Sequence, residues 1–574
     1  MQVTQPASAT GERLFALHQD RFAGAAGACR DRRAWSPFPD QPGSYPDHER
    51  ARAAGEVAWR ARLGQPLHFA HPCGTAWVGE EVSPYDQQPL GIRYLEADLD
   101  AQFAAARVGV ADWSRASPEA RVGVLLEIVD RLYRDDLFEI VQAVMHTTGQ
   151  SYGMAYAGSG VNALDRAIEA LVYAYQAMHS VAPQARWERN FGSTPIRLDK
   201  RYRLIPRGVA VCFSCASFPT WNAWPSMMAS LATGNAVLVK PHPATVAPMA
   251  ISVAVFRRVI ADAGFDPNLV QLAVDSSSAP IGKRIISHPD CAIVDFTGSA
   301  RFGAWVEEHA PPALCFTETA GCNAVVIESC TDLDAVIRSL ATTLCLFSAQ
   351  MCTSPQNIYV SADGVRVGAG AEAYVVPFVE FAERLAAAVA AIARDPRKAA
   401  AILSTIQSPA TLELLDSLQR EGAVRGRVLL APGRYAHPEF PQARTSTPLM
   451  IELTPAQREL YAEERFGPIS FVIRTADASA ALAEATRDVR EAGGLTAFVF
   501  STDPAFVEAA EEGFARAGAQ LTINLTGPMP LNFAAAYSDY HVTGLNPAGN
   551  ASLTDAAFVV SRFRIAQSRQ PVNS

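Results

Sequence analysis

An α/β protein built on parallel sheets is what this sequence predicts, and three observations predict it. Between Gly208 and Glu308, strand-like apolar runs alternate four times with helix-like periodic runs. A second alternation of the same kind runs from Ala313 to roughly Phe500. Hydrophobic residues at 49% against 19% charged are the balance of a folded globular chain and argue against global disorder. At 574 residues the chain exceeds one simple core, so two or three domains are expected.

Residues 1–98 are rich in Arg, Pro, Ala and aromatics, as in Trp35-Ser36-Pro37-Phe38-Pro39 and His68-Phe69-Ala70-His71-Pro72. Few long apolar periodic runs occur there, which predicts a loop-rich extension draped on the main body. From Leu99 to Ala177 the pattern turns helical: Val122, Leu125, Ile128, Val129 and Leu132 recur at helical spacing with charges between them. Trp187 to Leu204 alternates like a hairpin. Strands then follow at Gly208–Phe213, Ala236–Lys240, Val270–Val274 and Cys291–Phe296. They lead into helices at Thr220–Leu231, Val246–Ala263, Pro280–Ser287 and Arg301–Glu308. Such repeats imply a parallel sheet with helices on both faces, the architecture that binds dinucleotides. Residues 99–312 therefore read as a dinucleotide-binding domain with the hairpin at about 187–204, and 313–535 as a second α/β domain. Residues 536–574 form a C-terminal segment in which Ala557–Phe563 alternates like an edge strand able to join a neighbouring subunit.

Composition also excludes partners. The net charge of −9 gives no basic patch for phosphate backbones, so nucleic acid is not expected. Met1 to Gly11 is polar and small, without the apolar core of a secretory signal. No apolar run reaches the length of a membrane span, and a cytoplasmic location is the expectation. The ten cysteines read as reduced thiols. Cys212 and Cys215 form a C-x2-C beside an apolar strand, yet no second pair follows at ligand spacing, so no metal site is expected.

Two stretches carry the chemistry. Thr317-Glu318-Thr319-Ala320-Gly321 follows a strand and aims a carboxylate into a tight turn. Phe347-Ser348-Ala349-Gln350-Met351-Cys352-Thr353 sets a cysteine in a polar loop, where exposure and backbone N–H groups are expected to lower its pKa. A thiolate can attack a carbonyl, and a carboxylate can then activate water to free the product. Lys240 ends a strand in Val239-Lys240-Pro241-His242-Pro243, where open α/β sheets bind ligands. In Phe296-Thr297-Gly298-Ser299 a small residue opens a helix whose N-terminus can take a pyrophosphate. Glu463-Glu464-Arg465-Phe466-Gly467-Pro468 is a further charged turn.

Together these motifs resemble the aldehyde dehydrogenase superfamily in order and spacing, including the 34-residue interval from Glu318 to Cys352. The resemblance covers about residues 100–565. It implies a Rossmann-type cofactor domain, an α/β catalytic domain and a small β oligomerisation hairpin that pairs with the C-terminal strand, in a homodimer or homotetramer. It implies Cys352 as nucleophile and Glu318 as the base for thioester hydrolysis. It also implies a bound NADP or NAD, with Lys240 on the adenosine ribose, Gly298 and Ser299 at the pyrophosphate, Glu464 on the nicotinamide ribose and Phe466 beside the ring. Where NAD-preferring members carry a glutamate two positions after the Lys-Pro proline, Pro243 stands here, which makes NADP⁺ at least as plausible as NAD⁺. The family's Trp-Asn-Phe-Pro is replaced by Ala216-Ser217-Phe218-Pro219, so the oxyanion donor falls on Ser217 or on Asn222. Its glycine-rich turn is replaced by Asp275-Ser276-Ser277-Ser278.

The altered turns, the N-terminal extension and the ending Gly544-Leu545-Asn546-Pro547-Ala548-Gly549-Asn550 are similar to the phenylacetic acid degradation branch, PaaN. That branch implies a small-molecule ring-cleavage semialdehyde, CoA-linked, as substrate. Trp221, Trp224 and Phe347 are candidate pocket aromatics. A CoA-acylating dehydrogenase and a catalytically weak scaffold are the competing readings; the first generally dispenses with the base that Glu318 supplies, and the second is disfavoured by Cys352, Glu318 and Glu464 occurring together.

Overall fold

The computed structural model describes residues 7–552 and 555–572; positions 1–6 of the Met1–Gly11 stretch lie outside it. The chain opens not with a loop-rich arm but with three helices: α1 (Ala7–Leu17), α2 (Gln19–Asp31) and α3 (His48–Arg62). Their contact faces are made of small residues, which is why apolar periodicity did not reveal them. A Cβ on Gly11 would meet the Ala120 carbonyl oxygen at 2.4 Å, and one on Gly55 would meet Phe138 at 2.4 Å. Backbones approach closely at these crossings, while Phe22 and Trp59 enter the main core.

The predicted helical region forms α4 (Leu99–Trp113), α5 (Pro118–Arg131), α6 (Leu137–Thr148) and α7 (Ala163–His179). Ser117 caps α5 by accepting from Ala120 N–H, with Pro118 at the first turn. The hairpin is β1 (Gln184–Phe191) and β2 (Thr194–Pro206).

The first sheet has five parallel strands: β3 (Val209–Ser214), β4 (Ala236–Pro241), β5 (Val270–Leu272), β6 (Cys291–Thr297) and β7 (Leu314–Glu318). Spatially they run β5-β4-β3-β6-β7. Helices α8 (Pro219–Ala232), α9 (Ala247–Asp262), α10 (Gly282–Ile286) and α11 (Ala300–His309) make the crossovers. All residues of β3 and β4 are buried, as a doubly covered parallel sheet requires. The strand order reverses at β3, so the crevice beyond the carboxyl ends of β3 and β6 is where such sheets bind ligands. Strand β7, read from sequence as part of the second unit, is instead an edge strand of the first sheet. Glu318 is its last residue.

The second sheet comprises β8 (Asn323–Ile327), β9 (Pro355–Ser361), β10 (Arg427–Leu430), β11 (Leu449–Leu453), β12 (Ile469–Thr475), β13 (Thr496–Phe500) and β14 (Gln520–Ile523). Its order is β10-β11-β12-β9-β8-β13-β14, with only β10 antiparallel to its neighbour. Cys352 lies just before β9, at the edge that faces the carboxyl ends of the first sheet.

The expected edge strand at Ala557–Phe563 lies further on. Asp555 caps a short helix, Ala556–Val560, by accepting from Phe558 N–H, and this burial of Phe558 and Val559 claims the alternating residues. Strand β15 (Phe563–Pro571) follows and pairs antiparallel with β2 along its whole length. Arg562, between them, is fully buried and reaches Asp295 on β6 at 2.5 and 2.8 Å, anchoring the C-terminus in the first sheet. No helix of the described residues is long and apolar enough to cross a membrane.

Candidate active site

A single cleft of about 1680 Å³ lies between the two sheets and gathers the sequence-predicted site residues: Cys352, Glu318, Ser217, Lys240, Gly298, Ser299, Glu464 and Phe466 all line it.

Cys352 is placed by a strained turn. Phe347, Ser348 and Ala349 have φ of 48°, 49° and 51°, three consecutive left-handed residues none of which is glycine. The turn is held by its polar side chains: Ser348 Oγ donates to Leu403 O (2.8 Å), and Gln350 Nε2 donates to Thr405 O (2.9 Å). On the other side Asn323 Nδ2 donates to Cys352 O at 2.7 Å, while Asn323 Oδ1 accepts from the backbone of Leu495 and Thr496. Gly321 makes the approach possible: a Cβ there would stand 2.4 Å from Cys352 O and 2.8 Å from Glu464 Oε1.

The thiol is only partly exposed, and the groups around it oppose the ionisation expected from its loop. Burial pushes Cys352 well above the ordinary thiol range, and the adjacent Glu318 carboxylate pushes it further. Glu318 is buried, which alone would raise it, but the charge of a protonated His541, the hydrogen bond that ring then makes, and hydrogen bonds from Cys352 and Asn222 outweigh burial and hold it below the usual carboxylate range. Asn222 Nδ2 donates to Glu318 Oε2 at 3.2 Å. His541 Nε2 lies 3.2 Å from Glu318 Oε1 and 3.6 Å from Cys352 Sγ.

His541 escaped the sequence reading. It is 189 positions from Cys352, in the long segment after β14, and no local motif marks it. What fixes it is Arg166 on α7, which donates to Asp539 O (3.0 Å) and Ala534 O (3.3 Å) and stacks over Trp221. Trp221 in turn packs on the His541 ring, with centroids 4.5 Å apart. Of the three candidate aromatics, Trp221 lines the cleft. Trp224 is fully buried and donates to Ser252 Oγ, and Phe347 is buried edge-on against Phe218.

The Ser217 backbone carbonyl accepts from Gln150 Nε2 (2.8 Å), and its hydroxyl lies against the Cys215 thiol. Cys212 and Cys215 hold no common partner: their thiols donate to Ala223 O and Asn222 Oδ1.

At the far end of the cleft Lys240, at the tip of β4, pairs with Asp275 at 2.7 Å. Burial lowers the lysine and Asp275 opposes that. Asp275 Oδ2 also accepts from Ile281 N–H (2.9 Å), so the serine-rich turn is organised by the aspartate in place of glycines. Ser277 donates from its N–H and its hydroxyl to Glu80, bringing a second carboxylate of the N-terminal region to this end. Between the two ends, Ser299 caps α11, whose N-terminus opens on the cleft at the β3/β6 switch point. Glu464 is pushed up to about 7 by burial first and by Glu318 second.

The profile of the aldehyde dehydrogenase family matches residues 78–526. Among solved structures, an NAD-dependent aldehyde dehydrogenase from Burkholderia multivorans is 42% identical, with a TM-score of 0.93 over 98% of this chain and 99% of that one. An NADP-dependent glyceraldehyde-3-phosphate dehydrogenase from Bacillus halodurans, at 18% identity and a TM-score of 0.68 over 89% of this chain and 98% of that one, shares the fold. A curated vanillin dehydrogenase from Corynebacterium glutamicum is 25% identical over 75% of this chain and 85% of its own. A 3-succinoylsemialdehyde-pyridine dehydrogenase from Pseudomonas is 24% identical over 70% and 79%. With more than half its length matched by the family profile and the fold shared throughout, the chain belongs to the aldehyde dehydrogenase family.

Proposed function

We propose that this enzyme oxidises an aldehyde to the carboxylic acid through a thioester on Cys352. The observation that carries the reading is the meeting of Cys352, from the second sheet, with Glu318, from the end of β7, at the floor of one cleft.

In this reading the Cys352 thiolate adds to the aldehyde carbon, and the oxyanion is held by the Ser217 hydroxyl and the Cys352 backbone N–H. A nicotinamide dinucleotide bound in this cleft would supply the hydride acceptor that the oxidation needs. Glu318, ionised, then takes a proton from water, and the hydroxide releases the acid. The cleft suits such a cofactor: it combines the Lys240 cation, the α11 N-terminus beside Gly298 and Ser299, and the partly buried Glu464 beside Phe466. NAD⁺ is favoured over NADP⁺, because Asp275 and Glu80 bring two carboxylates to the Lys240 end, where a 2′-phosphate would meet them. The NAD-dependence in the Burkholderia protein's name supports the same choice.

The substrate is taken to be a semialdehyde of aromatic-acid breakdown, CoA-linked, as in the phenylacetic acid degradation branch. Supporting this, Tyr85, Tyr152, Trp221 and Phe440 line the cleft, and Arg52 of α3 stacks over Tyr152 at 4.4 Å. The sheet β15-β2-β1 leaves the β1 edge open, which supports a homodimer or homotetramer joined there. Ten free thiols fit a cytoplasmic, reducing location.

The test is dinucleotide reduction with aliphatic, aromatic and CoA-linked semialdehydes, with and without free CoA, for wild type, Cys352→Ala and Glu318→Gln. Turnover lost in Cys352→Ala, with only a single-turnover burst in Glu318→Gln, is expected. Dependence on free CoA would replace hydrolysis with acyl transfer to CoA, and silence with every aldehyde would sink the enzymatic reading of this chain.

A further inference from the structure

The site contains a difficulty. A nucleophilic thiol must lose its proton, yet Cys352 is partly buried, out of water's reach on most sides, and faces acidic groups: the Glu318 carboxylate directly, and Glu464 and the Cys215 thiol nearby, each opposing a thiolate. Both oxygens of Glu318 are already engaged, Oε2 by the Asn222 amide at 3.2 Å and Oε1 by His541 at 3.2 Å. Glu318 is also the group that must activate water afterwards. The remaining titratable group on the sulfur is His541, whose Nε2 stands 3.6 Å from Sγ.

We propose that His541, neutral and with Nε2 unprotonated, is the residue that ionises Cys352: the S–H bond breaks, an Nε2–H bond forms, and the imidazolium lies between the new thiolate and the Glu318 carboxylate. This rests on the reading of Cys352 as nucleophile and adds a second catalytic residue to it. One nitrogen faces both partners, Sγ at 3.6 Å and Oε1 at 3.2 Å, so a single proton can bridge the two anions. That placement turns an unfavourable row of negative charges into an alternating one, anion–cation–anion. His541 is buried, so the ion pair is shielded from water, and Arg166 and Trp221 fix the ring through the contacts described above.

The proton balance closes over the cycle. During thioester formation the proton stays on His541. When hydroxide displaces the thiolate, that proton returns to sulfur, while the proton Glu318 takes from water leaves to solvent. The two bases thereby divide the work: His541 serves the attack and Glu318 the hydrolysis. Cys215 is the internal contrast. It is a partly buried thiol that Glu318 also opposes, pushed up to about 11 chiefly by desolvation, with the Asn222 amide oxygen at 3.5 Å where Cys352 has an imidazole.

The experiment is alkylation of the full chain by iodoacetamide, without cofactor, from pH 5.5 to 10, with each cysteine peptide quantified by mass spectrometry. In wild type, Cys352 is expected to react at pH 6.5 within about tenfold of its rate at pH 9, while Cys215 behaves as an unreactive thiol. In His541→Gln, the Cys352 rate at pH 6.5 is expected to fall at least 100-fold while the rate near pH 10 changes less than threefold. A His541→Gln profile that superimposes on wild type would overturn the proposal. So would a wild-type Cys352 rate that climbs tenfold per pH unit up to pH 9, a result that needs no variant to fold. The readout is also separate from the proposed oxidation: a His541-dependent thiolate in a chain that reduces no dinucleotide would retain the pair and discard the dehydrogenase reading.

Discussion

The two ends of the cleft solve opposite electrostatic problems. At the Lys240 end, charges of opposite sign are already paired within the chain, with Asp275 at 2.7 Å from the ammonium. At the Cys352 end, potential anions accumulate around one imidazole, and both Cys352 and Glu464 are pushed upward by desolvation first and by the Glu318 charge second. A prepaired end can bind and orient a ligand without changing protonation. A crowded, like-charged end stores its reactivity in which group holds the proton. Binding and chemistry are therefore expected to respond to different mutations.

The largest effect should come from the crowded end. Glu318→Gln removes the proposed water-activating base, and kcat for acid release is expected to fall by roughly 10²–10⁴. A single-turnover assay should still show the first dinucleotide reduced. If release and attack slow equally, the division between the two ends of the cycle fails. At the prepaired end, Asp275→Asn leaves Lys240 buried with the Pro241 carbonyl as its direct acceptor and only the more distant Glu80 carboxylate to balance its charge. Removing one member of a buried pair costs about 3 kcal/mol or more, read as a lower urea midpoint. The same change removes a carboxylate from the proposed ribose end, so the NADP⁺ to NAD⁺ ratio of kcat/KM is expected to rise about tenfold, equivalent to about 1.4 kcal/mol. An unchanged ratio would place the 2′-position elsewhere.

The first of these ends was far more legible in the sequence than the second. Strands β3, β4 and β6 announce themselves as short apolar runs punctuated by turns, and Lys240, Gly298 and Ser299 sit at their ends by simple counting. Glu318 and Cys352 stand out for the same reason, each in a local motif. His541 and Arg166 do not, because their meaning is a tertiary contact: Arg166 grips carbonyls 368 and 373 positions away. The N-terminal helices were hidden by a related effect. Gly11 and Gly123 are contact residues precisely where apolar size would be expected, since a Cβ on Gly123 would stand 2.1 Å from Gly11 O. Pattern reading looks for large side chains, and close backbone crossings have none. The polar neighbours of Cys352 in sequence say little about its ionisation, because its neighbours in space are the Glu318 and Glu464 carboxyls and the His541 ring.

Glu464 gives a pH-dependent way to sharpen the comparison. Its carboxyl rises from an ordinary 4.5 to about 7 on folding. The folded state therefore binds this proton more tightly than the unfolded chain does. Its contribution to stability is full below about pH 4.5 and is lost as the pH rises to about 7. The total is at most about 3 kcal/mol. Glu464→Gln imitates the protonated form, so its urea midpoint should match wild type near pH 4 and exceed it at pH 8. Parallel pH profiles for the two proteins would mean that Glu464 does not feel Glu318 in this way. In the Glu318→Gln background the advantage of Glu464→Gln should shrink, since Glu318 is the second cause of the rise.

The smallest expected effect concerns how the crowded end is held in place. Phe347, Ser348 and Ala349 each adopt a left-handed backbone that costs an L-residue roughly 1–2 kcal/mol. Hydrogen bonds from Ser348 and Gln350 offset part of that, but Ala349 has no side-chain anchor of its own to contribute. Glycine meets no such penalty, so Ala349→Gly should relieve the local strain and, after its greater unfolded-state freedom is subtracted, raise stability by up to about 1 kcal/mol. The thiol should keep its place, because Asn323 and Gly321 fix Cys352 O from the opposite side. Alkylation of Cys352 at pH 6.5 should then stay within twofold of wild type while the thermal midpoint rises. A rise in midpoint accompanied by a large loss of alkylation would mean that the strained turn itself sets the distance from sulfur to His541.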